Sequence, residues 1–180
     1  IQNLKKILQS KHLLTNVGDE GGFAPSINSN EDALEMVVDA IERSKLKPGK
    51  DINICLDVAA NELMNDSGKY SLNSSTHISV EESINYYKKL ISKYPIKSIE
   101  DPFAENDWNA WSQLTKEIGK NIQIVGDDLF VTNVIRLRKG IKEKSANSIL
   151  IKVNQIGTLT ETLDVIELAK KNNFSTVISH

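Results

Sequence analysis

PIKSIEDPF, residues 95–103, joins an apolar strand pattern to two adjacent acids and a proline. Residues 95–99 predict a buried strand, Glu100 and Asp101 follow at its end, and Pro102 then forces the chain to turn. Two interpretations are open. The acids can mark a strand that ends in a polar loop, or they can mark a ligand site at the carboxyl end of the strand.

Strands and helices are predicted to alternate on both sides of this stretch. Four other apolar runs predict strands, over residues 52–59, 122–128, 148–155 and 175–180. Amphipathic periodicity predicts helices over residues 1–11, 31–44, 80–94, 106–119, 133–144 and 160–173. Asn30 and Ser79 are the predicted N-caps of the second and third helices, and residues 65–75 predict a turn-rich connection. Alternation of apolar strands with helices is typical of an α/β fold with a parallel, barrel-type sheet.

Composition restricts the class of protein. The 180 residues are 39% hydrophobic and 26% charged with a formal net charge of -2, which is ordinary for a globular domain. Neither a basic stripe with interleaved aromatics nor an apolar run of about 20 residues is present, so we expect no nucleic-acid partner and no membrane span. The single cysteine, Cys55, lies in an apolar run, so we expect it to be buried and reduced.

One polar residue stands at or just past the end of each predicted strand. These residues are Asp57, Glu100, Asp127, Lys152 and His180. A parallel barrel delivers the carboxyl ends of all its strands to one face, so we expect the five side chains to converge there. Three carboxylates in one pocket repel each other unless a cation lies between them, and oxygen ligands favour Mg²⁺ over zinc. The alternative is that each acid only solvates its loop.

Two further side chains fit acid–base chemistry. Lys152 lies within an apolar run, and a partly desolvated lysine beside a metal ion is expected to have a lowered pKa, as a general base needs. The alternative is a lysine that reaches solvent from an edge strand. Glu20 lies in the Gly-rich loop DEGGF and is a candidate general acid, although the same pattern suits a simple turn. A metal site, a base and an acid together predict proton removal beside a carboxylate, followed by loss of water.

Five motifs, in order along the chain, resemble those of the enolase family. They are VGDEGGFAP, SIEDPFAENDW, VGDDLFVTN, LIKVNQIGTLTET and VISH, and the third resembles bacterial-type members. The resemblance implies Glu20 as general acid and Lys152 as base, with both binding substrate together with His180. It also implies Asp57, Glu100 and Asp127 as Mg²⁺ ligands, whereas Asp101 and Asp128 would support the site from behind.

The resemblance further implies the reversible, Mg²⁺-dependent dehydration of 2-phosphoglycerate to phosphoenolpyruvate in glycolysis and gluconeogenesis, by a cytoplasmic homodimer with a possible second pool at the cell surface. The sequence begins at Ile1 and ends directly after an apolar strand, so we expect residues 1–180 to be an internal part of the catalytic barrel domain. It would lack the N-terminal capping domain and the last barrel units, and would be inactive alone. A related acid-sugar dehydratase and a non-catalytic scaffold remain alternatives.

Overall fold

The computed structural model describes residues 1–19, 21–73 and 76–180. Its strands are β1 (Ile54–Asp57), β2 (Tyr70–Asn73), β3 (Thr76–Ile78), β4 (Ile96–Glu100), β5 (Gln123–Gly126), β6 (Ser148–Ile151) and β7 (Ser175–Ile178). Its helices are α1 (Gln2–Ser10), α2 (Asn30–Arg43), α3 (Val80–Lys93), α4 (Trp108–Ile118), α5 (Val134–Glu143), α6 (Val153–Ile156) and α7 (Leu159–Lys171), with a 3-10 turn at Ala60–Leu63.

Five parallel strands form the main sheet, in the order β1-β4-β5-β6-β7. A helix crosses between each successive pair, so the α/β fold with a parallel sheet is confirmed. Among the described residues the sheet is open, with β1 and β7 at its edges. All five strands therefore point their carboxyl ends to the same side, as the sequence predicts.

Helix starts follow from local capping chemistry. Ser79 caps α3 by accepting a hydrogen bond from the backbone N–H of Glu82, and the Glu82 carboxylate accepts one from the backbone N–H of Ser79, so the predicted capping box is confirmed. Asn30 is not the N-cap of α2. Ser29 takes that place by accepting from the N–H of Asp32, because its extended backbone aims the hydroxyl at the first turn. Asn30 instead donates to the carbonyl of Leu72 at 2.6 Å.

The core lies between the sheet and its helices. Ile99, Ile124 and Ile149 alternate onto the helix-covered face and are 0% exposed. Burying each such side chain contributes about 1.5–3 kcal/mol as an upper bound. The expectation that Cys55 is buried is wrong, since its residue is exposed. Its neighbour Ile54 takes the helix-covered side, so Cys55 falls on the opposite face of the edge strand β1.

Two other segments differ from the sequence prediction by more than a few residues at an end. Residues 65–75 were predicted as turns, but the antiparallel hairpin of β2 and β3 includes part of them. Tyr70 anchors this hairpin, since its buried hydroxyl donates to Asp107 and accepts from the N–H of Ala104. The strand predicted over 148–155 ends at Ile151, where α6 begins almost at once. No helix in the described part of the chain is long and apolar enough to cross a membrane.

Phe130 lies in the loop that follows β5, and its ring packs between two glycines. Its ring is 0% exposed, and a Cβ built at Gly126 would meet it at 2.5 Å. A Cβ at Gly140, in the middle of α5, would overlap the ring from the other side. Glycine is required at Gly140 because of this contact, although a helix interior otherwise disfavours it.

Gly140→Ala is therefore expected to destabilise the protein, by roughly 1–3 kcal/mol of overpacking strain that outweighs a helix-propensity gain of about 1 kcal/mol. Thermal unfolding of the variant measures the effect. Lys142→Ala is the matched control, since it lies exposed on the same helix. A Gly140→Ala melting temperature equal to or above that of the wild type contradicts the packing argument.

Candidate functional site

The predicted site residues at the strand ends lie along the side of the sheet to which the carboxyl ends of the strands point. Asp57 and Glu100 end β1 and β4 and are register partners, so their side chains are neighbours on the same face. Asp127 directly follows β5, and Lys152 directly follows β6. Both lie on the face opposite the helix-covered core, because each stands three residues beyond a core residue of its strand, Ile124 or Ile149.

Lys152 and Asp127 form an ion pair at this edge. The ammonium Nζ donates to the Asp127 Oδ2 at 2.6 Å, and the two side chains are only 18% and 12% exposed. The backbone N–H of Lys152 donates to the hydroxyl of Thr132 at 2.9 Å, which fixes where the lysine leaves β6. The candidate base and one candidate metal ligand are thus in contact.

The other two carboxylates of the predicted triad carry raised pKa values. Burial, and then the charges of Asp57 and Asp127, raise the pKa of Glu100 to about 7. The pKa of Asp57 is raised by burial, partly offset by a hydrogen bond from the N–H of Ala59, and raised further by Asp127. Partly buried like charges that repel each other are the arrangement that a bound cation relieves. The donor set therefore fits a hard divalent ion such as Mg²⁺.

The sequence-based expectation of a lowered lysine pKa is for a lysine beside a bound metal ion, and the protein groups alone shift the pKa the other way. Burial lowers the pKa of Lys152, but the hydrogen bond and charge of Asp127, followed by the charge of Glu100, outweigh burial and raise it. The ammonium is the stable form as long as Asp127 is its partner.

Asp101 supports the loop that carries Asp127. Its backbone has a positive φ of 40°, and its carboxylate accepts from the N–H groups of Asp127 and Asp128 at 3.0 and 2.9 Å. Burial raises its pKa to about 7 despite these two bonds. This placement agrees with the expectation that Asp101 acts behind the site.

A second carboxylate group competes with the predicted triad as a cation site. Oxygens of Asp101, Asp127 and Asp128 lie within 4.8 Å of one another, and theirs is the group that meets this distance among the described residues. However, both oxygens of Asp101 accept backbone N–H groups, and Asp128 accepts from Asn61 at 2.8 Å. These oxygens hold loops, whereas the oxygens of Asp57, Glu100 and Asp127, which stay the predicted metal ligands, do not meet the same distance.

Asn61 joins three loops around the site, a role that the sequence did not indicate. Its Nδ2 donates to Asp128 after β5, and its Oδ1 accepts the N–H of Glu105 after β4 at 2.9 Å. Asn61 itself lies in the 3-10 turn that follows β1. A polar residue four positions past a site carboxylate was the available signal, but it does not identify the partners.

Two predicted residues are not placed in this constellation. Glu20 lies outside the described residues. Around it, the N–H of Gly18 donates to the carbonyl of Gly22 at 2.8 Å, and Val17 bridges to Phe23. His180, two residues beyond β7, is exposed, and its Nδ1 shares a hydrogen bond of 2.9 Å with the Oγ of Ser179.

Comparison with known proteins gives a family match over the whole chain. The family described as "Enolase, C-terminal TIM barrel domain" matches residues 1–180. A curated relative, the protein named "Enolase" from Pelagibacter ubique (strain HTCC1062), is 61% identical over 180 residues. The alignment covers 100% of this chain and 43% of that relative, so the chain spans less than half the length of the protein it matches.

Proposed function

Because the chain belongs to the enolase family, through its C-terminal barrel domain, we propose that the protein is a carbon–oxygen lyase that reversibly dehydrates 2-phosphoglycerate to phosphoenolpyruvate. The observation that carries this proposal is the strand-end constellation. Lys152 contacts Asp127 at 2.6 Å, while Asp57 and Glu100 stand beside them with pKa values that burial, and then the charges of neighbouring carboxylates, raise.

Asp57, Glu100 and Asp127 would hold Mg²⁺ in this proposal. The bound ion would neutralise the negative charge that develops on the substrate carboxylate as C2 loses its proton. Backbone pairing places Asp57 and Glu100 at neighbouring strand ends, and Asp127 follows β5 in a loop that Asp101 holds.

Lys152 would accept the C2 proton of the substrate. To do so it must first lose a proton and its hydrogen bond to Asp127, because an ammonium has no lone pair. Any positive charge that draws the Asp127 carboxylate away removes the partner that raises the lysine pKa. Asp127 is therefore proposed to control when Lys152 becomes a base.

Glu20 and His180 complete the proposed reaction. Glu20 would donate a proton to the C3 hydroxyl, which leaves as water while the C2–C3 double bond forms. The electron pair of the broken C2–H bond becomes that double bond, so protons and electrons balance. His180 would bind substrate from the end of β7. Family membership also supports a cytoplasmic homodimer, which we extend to this protein as part of the proposal.

Formation of phosphoenolpyruvate tests the function directly. We expect the full-length protein to convert 2-phosphoglycerate with a requirement for Mg²⁺, followed by the ultraviolet absorbance of the product and abolished by a chelator. Activity toward acid sugars but not 2-phosphoglycerate would replace the proposal with a related dehydratase. A folded, full-length protein that binds Mg²⁺ but dehydrates neither substrate would favour a non-catalytic role.

A further inference from the structure

We propose that Thr132 and Gln155 are positioning residues that set the orientation of the Asp127 carboxylate, and through it the Mg²⁺ affinity of the site. The inference rests on the proposed function for the identity of the cation. Neither residue was singled out by the sequence, and neither contacts the other carboxylates of the triad through any hydrogen bond of the described residues.

A directional chain of hydrogen bonds joins these residues. The backbone N–H of Lys152 can only donate, so the Thr132 Oγ1 at 2.9 Å accepts from it. The threonine hydrogen is then free to donate to the Gln155 Oε1 at 3.0 Å, which is closer than its other acceptor, the Leu150 carbonyl at 3.4 Å. Since its oxygen faces the threonine, Gln155 turns its Nε2 to the Asp127 Oδ1 at 3.1 Å.

This chain distinguishes the two oxygens of Asp127. Oδ1 accepts from Gln155, whereas Oδ2 accepts from the ammonium of Lys152. The backbone of Asp127 is already held, because its N–H donates to Asp101 at 3.0 Å. The remaining freedom of the Asp127 side chain is rotation of the carboxylate about χ2, a torsion with a broad distribution. Gln155 restricts that rotation and so keeps Oδ2 directed at Lys152 and at the proposed position of the cation.

The local fold makes the hydrogen-bond chain rigid at its Thr132 end. Thr132 is 0% exposed and has a φ of 52°, a conformation that a β-branched residue rarely adopts. Hydrogen bonds from the N–H of Val131 to the Asp127 carbonyl, at 2.7 Å, and of Asn133 to the Phe130 carbonyl, at 2.8 Å, hold the surrounding turn. Such a conformation persists only where its surroundings impose it, which often occurs at functional sites.

The Gln155 end of the hydrogen-bond chain is coupled to Lys152, the proposed base. Lys152 is the N-cap residue of α6, and Gln155 lies within this four-residue helix, with its N–H donating to the Lys152 carbonyl at 3.1 Å. A movement of α6 therefore changes both partners of Asp127 together. Removing a partner that orients a metal ligand in this way typically lowers metal affinity or activity by about 10- to 100-fold.

The test measures Mg²⁺ binding in the full-length protein by calorimetric titration without substrate, alongside the Mg²⁺ dependence of turnover. Gln155→Leu and Thr132→Val are each expected to weaken Mg²⁺ binding about tenfold or more. Thr132→Ser keeps the hydroxyl and is expected to bind Mg²⁺ as the wild type does. Gln113→Leu, an exposed glutamine on α4, is the matched control for the same substitution.

The double variant distinguishes a chain from two separate supports. If Thr132 acts through Gln155, the Thr132→Val, Gln155→Leu protein should bind Mg²⁺ no more weakly than the worse single variant. Additive losses, or an unchanged affinity in Gln155→Leu, overturn the proposal. Gln155 is exposed, so this variant should fold even if Thr132→Val does not.

The outcome also separates this inference from the proposed function. If the variants show the expected pattern of Mg²⁺ affinities but the wild-type protein does not dehydrate 2-phosphoglycerate, the positioning role is supported and the proposed function is overturned. An active protein whose Mg²⁺ affinity ignores both substitutions supports the function and overturns the positioning role.

Discussion

Lys152→Ala is expected to lower kcat for 2-phosphoglycerate about 1,000-fold or more, within the range that a positioned general base contributes. The lysine is 18% exposed and held against Asp127, so no solvent-exposed group can easily replace it. Loss of the base should change KM less than kcat, because the proposed proton transfer occurs only in the transition state and Glu20 and His180 would still bind substrate. Steady-state kinetics with saturating Mg²⁺ measure kcat and KM separately.

Lys152→Arg distinguishes proton transfer from charge. Arginine keeps the positive charge beside Asp127 but stays protonated, so it cannot accept the C2 proton. We expect it to be nearly as inactive as the alanine variant. Lys170→Ala, exposed on the outer helix α7, is the control and should retain wild-type kinetics. Substantial activity in Lys152→Arg would mean that the lysine contributes charge and that another group takes the proton.

The position of Lys152 could be predicted from sequence, whereas its protonation could not. A lysine after an apolar run has to lie near the carboxyl end of a strand, because strand periodicity and the parallel order of the sheet are local consequences of the pattern. Its pKa depends on Asp127, which lies on the neighbouring strand and approaches to 2.6 Å only in the folded chain. The sequence predicted Asp127 in the same site as a metal ligand, but it did not predict the direct ion pair with Lys152.

Cys55 and Asn61 show two other limits of the sequence. An apolar run indicates a strand but not which of its faces is covered, and Cys55 is exposed because it lies on the face of β1 opposite the helix-covered core. Asn61 connects loops that follow three different strands, so its partners are set by tertiary packing. The fold follows from periodicity, whereas the hydrogen-bond networks behind the site depend on long-range geometry.

Asp127→Asn is expected to have the second large effect, a loss of Mg²⁺ affinity of about 100-fold with a corresponding loss of activity at low Mg²⁺. The substitution keeps the shape of the side chain and one oxygen, but it removes the charge that pairs with Lys152 and would bind the cation. Calorimetric titration of Mg²⁺ measures the first effect, and turnover as a function of Mg²⁺ concentration measures the second. Asp164→Asn, exposed on α7, is the control.

Asp127 belongs to both candidate cation sites, so two further variants decide between them. If the cation binds at the strand ends, Glu100→Gln should weaken Mg²⁺ binding as strongly as Asp127→Asn, while Asp128→Asn has a smaller effect through its bond to Asn61. The opposite order would place the cation among Asp101, Asp127 and Asp128. Glu100 is the sharper probe, because burial and the charges of Asp57 and Asp127 already raise its pKa to about 7. A carboxylate under that repulsion gains strongly from a nearby cation, so replacing Glu100 should cost as much Mg²⁺ affinity as replacing Asp127 if the triad is the site.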